Sequence, residues 1–278
     1  MNPPSTVAVI GLGMIGGSVA RGLSARGVEI LAYDTNASYL DAAVDEGVVS
    51  RRLHAGLDDI GNAEAVLIAT YGDATVRALE CLKQHRDRVR LITDVGSTKR
   101  TVVRNAERLA LGDCFVGSHP FAGDHRSGWP ASRFDLFEKE IVYLCPTSES
   151  SESAMALATS LWTLLGAQPV AIDAERHDEL LAWTSHLPHV VSAAVAVALA
   201  ERGIHRGQLG RGGRDVARLA GGSPDLWASI TLENASEIDG ALAAMESELA
   251  AFRLLLQQGD RNAVKAKLSQ ARSWCDDA

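Results

Sequence analysis

The chain has 278 residues, 46% of them hydrophobic, which is enough to fill one large domain or two modest ones. Its net charge of -8 argues against nucleic acid and anionic membranes as partners, and the near-apolar run 190–200 is about half of what a membrane-spanning helix needs. The four cysteines are too widely spaced for a CxxC motif, so we expect reduced thiols and no metal site.

A glycine-rich turn directly follows the first predicted strand, 6–10. The turn carries Gly11, Gly13 and Gly16 in the pattern GxGxxG, and an amphipathic helix is predicted over 18–26. In such a turn the first glycine allows a tight bend, the second lets backbone amides approach a pyrophosphate, and the third permits close packing. We therefore predict a dinucleotide site here. Because cleavage of a signal peptide would destroy it, we also expect a cytoplasmic protein.

The second predicted strand, 28–34, ends in an acid at about the spacing that this motif requires. The carboxylate of Asp34 would accept hydrogen bonds from a ribose 2'-hydroxyl and repel a 2'-phosphate, and no arginine follows it directly. We therefore expect NAD, with NADP disfavoured. The predicted cofactor contacts are Gly11, Gly13, Met14, Ile15, Gly16, Asp34, Thr70 and Asp94.

Strand and helix patterns alternate up to about residue 173. Further strands are predicted over 65–70, 91–95, 141–145 and 168–172, and further helices over 73–85, 98–109 and 153–165. This order predicts an α/β domain of Rossmann type over residues 1–173, with a doubly wound, mostly parallel sheet.

From about residue 174 the strand patterns stop. Helices are predicted over 177–200, 211–219, 224–234, 238–257 and 261–274, so residues 174–278 form an all-α domain. The run 190–200 is apolar on every face, which predicts complete burial. Because one helix in so small a domain is hard to bury on all sides, we expect a symmetric homodimer through the helical domain.

A single histidine follows a short β-rich run at 114–117. His119 precedes Pro120 and a loop that opens at Gly123, so the strand delivers an imidazole to the mouth of a loop. In open α/β sheets ligands bind beyond the carboxyl ends of the strands. A histidine placed there can take a proton from a substrate hydroxyl near neutral pH. The alternative is a surface loop histidine.

Five segments, in this order, resemble the prephenate and arogenate dehydrogenase family of tyrosine biosynthesis: 11–18 (GLGMIGGS), 94–99 (DVGSTK), 119–123 (HPFAG), 185–189 (SHLPH) and 214–218 (RDVAR). The resemblance implies an NAD(P)-dependent oxidative decarboxylation of a cyclohexadienyl acid to a phenol, on a Rossmann domain joined to a helical dimerisation domain. The length is that of the family's catalytic core, so no fused chorismate mutase or ACT domain is expected.

The resemblance also assigns roles to single residues. It implies that His119 accepts the proton of the ring hydroxyl and that Ser97 hydrogen-bonds both that hydroxyl and the histidine. Ser97 could instead, or also, cap the helix that follows it. Arg218 would hold the ring carboxylate, with Asp215 orienting the guanidinium. The further predicted substrate contacts are Arg214, His189, Trp227 and His125.

Several alternatives stay open. Asp124 could accept the ammonium of arogenate, whereas prephenate carries a keto acid and favours no nearby negative charge, so the sequence does not decide between these substrates. A β-hydroxyacid dehydrogenase would have the same order of a Rossmann domain followed by helices. Enzymes of that type resemble one another in using a catalytic lysine in the helical domain, but no lysine lies between Lys139 and Lys265. The other alternative is a catalytically silent NAD-binding sensor.

Overall fold

The structure, a computed structural model, describes residues 3–123 and 126–276. In the N-terminal part strands and helices alternate in the following order: β1 Thr6–Ile10, α1 Met14–Ser24, β2 Glu29–Tyr33, α2 Ala37–Asp45, β3 Arg51–Arg52, β4 Ala65–Ile68, α3 Asp73–Leu82, β5 Leu91–Asp94, α4 Arg100–Arg108, β6 Val116–Pro120, β7 Ile141–Pro146, α5 Glu152–Leu164 and β8 Gln168–Ala171.

The sheet is parallel through most of its width. Strands β3-β2-β1-β4-β5 pair in this order, all parallel, and a parallel bridge between Ile92 and Phe115 continues the sheet to β6. Strand β7 then runs antiparallel to β6, and β8 runs parallel to β7. The carboxyl ends of β1, β4, β5 and β6 consequently meet at one edge, as ligand-binding sheets of this type require.

The two faces of the sheet carry separate apolar cores. Along β1, Val7 and Val9 point into the core that contains α1 and Trp162, while Ala8 and Ile10 point into the core that contains Leu79 of α3. Because successive side chains of a strand point to opposite faces, a strand buried on both sides is apolar throughout. The predicted Rossmann-type sheet is confirmed.

The chain beyond β8 is helical, which confirms the predicted all-α region. Its elements are α6 Ala174–Leu181, a π-helical turn Ala182–His186, α7 Leu187–Glu201, α8 Arg211–Val216, a 3-10 turn Arg218–Gly221, α9 Pro224–Glu233, α10 Ala235–Gln258 and α11 Arg261–Asp276.

Helix α7 is not buried within its own chain, so the expectation of complete burial is wrong for a single chain. Only Leu187 and Ser192 of this helix are buried, and Val197 is 58% exposed. The continuous helical run Ala174–Glu201, 28 residues with a mean hydropathy of 1.3 over its most apolar window, meets the length and composition of a membrane span, contrary to expectation. Such a helix is weak evidence for a membrane because interfaces between proteins need equally apolar faces.

Candidate active site

The glycine turn between β1 and α1 is fixed by backbone packing. Gly11 has a φ of +98°, and a Cβ there would lie 2.5 Å from the carbonyl oxygen of Ala69. A Cβ on Gly16 would overlap the carbonyl oxygen of Gly11. A Cβ on Gly13, in contrast, would meet nothing within 4 Å, so the backbone at the start of α1 borders open space. This is the shape that a pyrophosphate group needs.

Two further features of this turn fit a dinucleotide. Met14 and Ile15 form the first turn of α1, where backbone amides have no intrahelical acceptors and can bind an anion. Asp34, directly after β2, accepts hydrogen bonds from the amides of Leu12 at 2.5 Å and Asn36 at 2.6 Å. A carboxylate has about four acceptor positions, so Asp34 retains capacity for ribose hydroxyls at the edge of the turn.

Two other predicted cofactor contacts have different surroundings. Thr70 shares a hydrogen bond with Thr75 at 3.1 Å, and its methyl group borders Gly11. Asp94 is only 2% exposed and its carboxylate pairs with the ammonium of the fully buried Lys99. Burial raises the pKa of Asp94, and the charge of Lys99 opposes this shift. The side chain of Asp94 is therefore occupied by Lys99, and the contact of Asp94 with the cofactor stays a prediction.

His119 lies near the carboxyl end of β6, at the same edge of the sheet, and is 7% exposed. Its Nδ1 is 2.9 Å from Nε2 of His177, a residue of α6. Burial, reinforced by the charges of His177 and Lys99, holds the pKa of His119 well below 6.5. The imidazole is consequently neutral near pH 7, as a proton acceptor must be.

His177 is in turn bound to its neighbour in sequence. Its Nδ1 is 2.8 Å from Oδ1 of Asp178, and both side chains are buried. Burial lowers the pKa of His177, although the hydrogen bond to Asp178 opposes this. Burial alone would raise the pKa of Asp178, but hydrogen bonds from His177 and from two backbone amides outweigh it, so that the pKa lies below its ordinary value.

Those two amides belong to the start of α4. The amides of Lys99 and Arg100 donate to the carboxylate of Asp178 at 2.8 and 2.9 Å, so that a residue of the helical region caps this helix. Ser97 lies before this cap, and the alternative that Ser97 caps the helix is therefore wrong. Ser97 lies between the end of β5 at Asp94 and the N-cap Lys99, so its backbone is at the edge of the sheet that carries His119.

A third buried histidine, His186, lies beside the Ser97 loop. Burial lowers the pKa of His186 to about 4, and the backbone of Ser97 opposes this shift. Asn234 donates from Nδ2 to the carbonyl oxygen of Asp178 at 2.8 Å and lies 3.1 Å from Nδ1 of His186. His186 therefore belongs to the packing that joins the two parts of the chain, in agreement with a buried structural histidine.

The predicted substrate contacts of the helical region partly converge. His189 stacks on Trp227 with ring centroids 3.5 Å apart and an angle of 19° between the planes. Burial lowers the pKa of His189, and the charge of Arg218 contributes in the same direction. Arg218 is exposed, and its charge reaches the stacked pair of His189 and Trp227.

The remaining predicted contacts are not assembled in this way. Arg214 donates to the carbonyl oxygen of Leu209 at 2.8 Å, within its own helical turn. Asp215 is exposed, and over residues 3–123 and 126–276 no ion pair joins it to Arg218, so its role in orienting this guanidinium stays a prediction. His125, also predicted to contact the substrate, lies outside the described residues.

Because of the histidines of the site, we expect the free energy of unfolding to decrease in acid. Their pKa values in the folded chain lie below 6.5: His119, His177, His186 and His189. As the pH falls below 6.5 the unfolded chain therefore binds protons that the folded chain does not, so the free energy of unfolding decreases. His186 alone should account for roughly 3 kcal/mol between pH 6.5 and its folded pKa of about 4.

Urea unfolding at several pH values from about 7.5 to about 4.5 measures this dependence. The wild-type chain should lose stability steadily over this range, and His186→Gln should show a smaller slope because the titrating group is gone. Equal slopes in the two proteins would contradict the assignment to His186.

The fold and the site together define a class of protein. A parallel sheet, a glycine turn at the start of α1, an acid after β2 and a buried neutral histidine at the same edge are the parts of a Rossmann-type nucleotide-dependent oxidoreductase, here joined to a helical region.

Comparison with known proteins identifies the family within this class. The family model described as prephenate dehydrogenase, nucleotide-binding domain, matches residues 19–171, and that described as prephenate dehydrogenase, dimerization domain, matches residues 173–270. Prephenate dehydrogenase of Bacillus subtilis is 31% identical over 98% of this chain and 75% of its own length. The chain belongs to the prephenate dehydrogenase family.

Solved structures agree with this placement. The crystal structure of prephenate dehydrogenase from A. aeolicus in complex with hydroxyphenyl propionate and NAD+ is 27% identical, with a TM-score of 0.88 over 100% of this chain and 98% of that one. The crystal structure of Synechocystis arogenate dehydrogenase is also 27% identical, with a TM-score of 0.83 over 98% and 99% of the two chains. The resemblance inferred from the five sequence segments is confirmed.

Proposed function

We propose that the chain catalyses the NAD-dependent oxidative decarboxylation of prephenate, of L-arogenate or of both, and so forms 4-hydroxyphenylpyruvate or L-tyrosine. The observation that carries this proposal is the buried, neutral His119 at the edge of the sheet where the glycine turn opens. Membership of the prephenate dehydrogenase family supports the substrate class. A solved structure similar to this chain is named as an arogenate dehydrogenase, so both substrates belong to the proposal.

The residues of the glycine turn fit NAD. The amides at the start of α1 would hold the pyrophosphate, and the open space beside Gly13 leaves room for it. Asp34 would accept a ribose hydroxyl, and its charge would repel the 2'-phosphate of NADP. When bound, the nicotinamide ring accepts a hydride from the substrate. The complex of the A. aeolicus relative with NAD+ supports the same choice.

His119 is the proposed base for the ring hydroxyl at C4. As the C4 hydrogen leaves as hydride, Nε2 of His119 takes the hydroxyl proton. The ring carboxylate then leaves as carbon dioxide, the electrons of the broken C–C bond enter the ring, and His119 returns its proton to the resulting phenolate oxygen. Ser97, at the end of the neighbouring strand, would hold the same hydroxyl in place by a hydrogen bond.

Arg218 and the stacked pair His189–Trp227 would bind the rest of the substrate. A guanidinium presents a planar fork of donors that matches a carboxylate, so Arg218 would hold the ring carboxylate until it leaves. His189 would contact the side chain of the substrate, and Trp227 would close the pocket by stacking. Arg214, Asp215 and His125 stay in the proposal as further contacts with the substrate.

Arg218→Ala should mainly weaken substrate binding. We expect the KM for the cyclohexadienyl substrate to rise at least about tenfold, because a charge-assisted bidentate contact is lost, while the KM for NAD stays unchanged. Arg214→Ala provides a matched control: its guanidinium already bonds to the carbonyl of Leu209, so the effect should be smaller. An unchanged substrate KM in Arg218→Ala would refute the role in carboxylate binding.

The apolar faces of the helical region support a homodimer. Val197 of α7, Leu249 and Leu256 of α10 and Trp274 of α11 are each more than half exposed in the single chain. A second copy that packs on these helices would bury them, and the match to a dimerization domain supports this arrangement. Light scattering that shows a monomer at micromolar concentration would exclude the dimer.

The proposed domains are residues 1–173, which would bind NAD, and residues 174–278, which would bind the substrate and form the dimer. The proposed location of the protein is the cytoplasm.

Absorbance of the reduced nicotinamide tests the proposed activity. The purified chain is mixed with prephenate or L-arogenate and with NAD or NADP, and steady-state rates are compared for the four pairs. We expect turnover with at least one substrate and a higher kcat/KM with NAD than with NADP. A silent sensor would bind NAD without turnover, and a β-hydroxyacid dehydrogenase would oxidise simple 3-hydroxy acids instead.

A further inference from the structure

We propose that His177 and Asp178 are positioning residues that fix the tautomer of His119, so that its Nε2 carries a lone pair toward the substrate hydroxyl. This inference rests on the proposed function for its catalytic meaning, but the tautomer itself is a property of the chain. It follows from two consecutive hydrogen bonds, from His119 to His177 and from His177 to Asp178.

The protons of this chain of contacts can be assigned one after another. An ionised Asp178 can only accept, so the hydrogen bond of 2.8 Å to His177 requires the proton on Nδ1 of His177. A neutral His177 then has a bare Nε2. The contact of 2.9 Å between this atom and Nδ1 of His119 needs one proton, which must therefore lie on His119. Nε2 of neutral His119 is consequently unprotonated.

The competing assignment requires a charged histidine. If His177 carried both protons, it would donate from Nε2 to His119, and His119 would present an N–H to the substrate where a base needs a lone pair. His177 is completely buried, and burial together with the charge of Lys99 lowers its pKa, against the opposing effects of Asp178 and Asp94. The productive tautomer of His119 is therefore favoured near neutral pH.

Asp178 is held rigidly enough for this role. Besides the hydrogen bond from His177, its carboxylate accepts hydrogen bonds from the amides of Lys99 and Arg100 at 2.8 and 2.9 Å. These two residues follow Ser97 by two and three positions. One buried carboxylate thus fixes both the orientation of the base and the loop that carries the second catalytic candidate. During proton transfer its charge would also stabilise the imidazolium of His119 through His177.

Substitutions at His177 separate positioning from mere packing. His177→Leu removes the acceptor for Nδ1–H of His119, and we expect kcat to fall about 100-fold while the Kd for NAD is unchanged. His177→Gln can place a carbonyl oxygen near the original Nε2 and should recover kcat to within about tenfold of wild type. His54→Leu is the control: its side chain is 81% exposed, and neither kcat nor the tautomer should change.

The direct readout is the 15N spectrum of the histidine rings in the full chain with saturating NAD. The His119 signals are assigned by their absence in His119→Asn. We expect Nδ1–H with bare Nε2 in the wild type, and a shift toward Nε2–H in His177→Leu. Nε2–H in the wild type, or an unchanged kcat in His177→Leu, would overturn the proposal. Because the wild-type spectrum needs no turnover, failure of the proposed activity would be distinguishable from failure of this inference.

Discussion

His119→Asn should lower kcat by on the order of 100-fold or more and leave the affinity for NAD nearly unchanged. Asparagine occupies similar space and can still form hydrogen bonds, but it cannot accept a proton near neutral pH. The ring of His119 is hydrogen-bonded to His177 and not to the glycine turn that would hold the pyrophosphate, so binding of NAD should survive. The pKa of His119, well below 6.5, means that the wild-type base is already neutral at the pH of the assay.

Two measurements check this expectation. Initial rates of NADH formation give kcat, and calorimetric titration of NAD gives the Kd in the same buffer. A thermal unfolding curve shows whether the variant is folded. Undiminished turnover by a folded His119→Asn would eliminate the histidine as the base, and a large loss of NAD affinity would mean that the residue supports the cofactor site as well.

Gly16→Ala should lower the free energy of unfolding, whereas Gly13→Ala should weaken only the binding of NAD. A Cβ on Gly16 would overlap the carbonyl oxygen of Gly11, which is backbone and cannot move aside, so we expect a loss of about 3 kcal/mol in the free energy of unfolding. A Cβ on Gly13 meets nothing within 4 Å and is compatible with a φ of -66°. It would occupy the space that the pyrophosphate needs, and the Kd for NAD should rise at least about tenfold.

This pair is measured by urea unfolding without cofactor and by NAD titration. The expected pattern is a lower midpoint for Gly16→Ala and an unchanged midpoint with weakened NAD binding for Gly13→Ala. The opposite pattern, with Gly13→Ala unstable and Gly16→Ala intact, would contradict the described packing of the turn.

The sequence alone predicts those parts of the fold and site that depend on short motifs or on residues close together along the chain. The glycine turn and Asp34 depend on a motif of known spacing, and the structure has them in the predicted places. The strand predicted over 114–117 lies at Val116–Pro120 and includes His119, because its pairing with β7 extends past the apolar run. The bounds of α1 differ because Gly13 is the N-cap, so the helix starts at Met14 and not at residue 18. The sequence analysis does not predict strand β3, which has only two residues, or helix α2, which has nine.

The sequence alone does not predict the parts of the site in which contacts join segments that are distant along the chain. His177 and Asp178 carry no local signal for their role, because the partner histidine lies 58 residues away and the capped helix 78 or 79 residues away. Nor does the sequence show that the buried Lys99, five residues after Asp94, binds the carboxylate of Asp94. The sequence shows that α7 is apolar, but it does not show that most of this helix is solvent-exposed in the single chain.

The most direct measurement is the stoichiometry of the two products in one sample. The wild-type chain is given NAD and either prephenate or L-arogenate labelled at the ring carboxylate, and NADH and labelled carbon dioxide are determined together. We predict one carbon dioxide for each NADH with at least one of the two substrates. Formation of NADH without carbon dioxide, or of neither product from either substrate, would contradict an oxidative decarboxylation at His119.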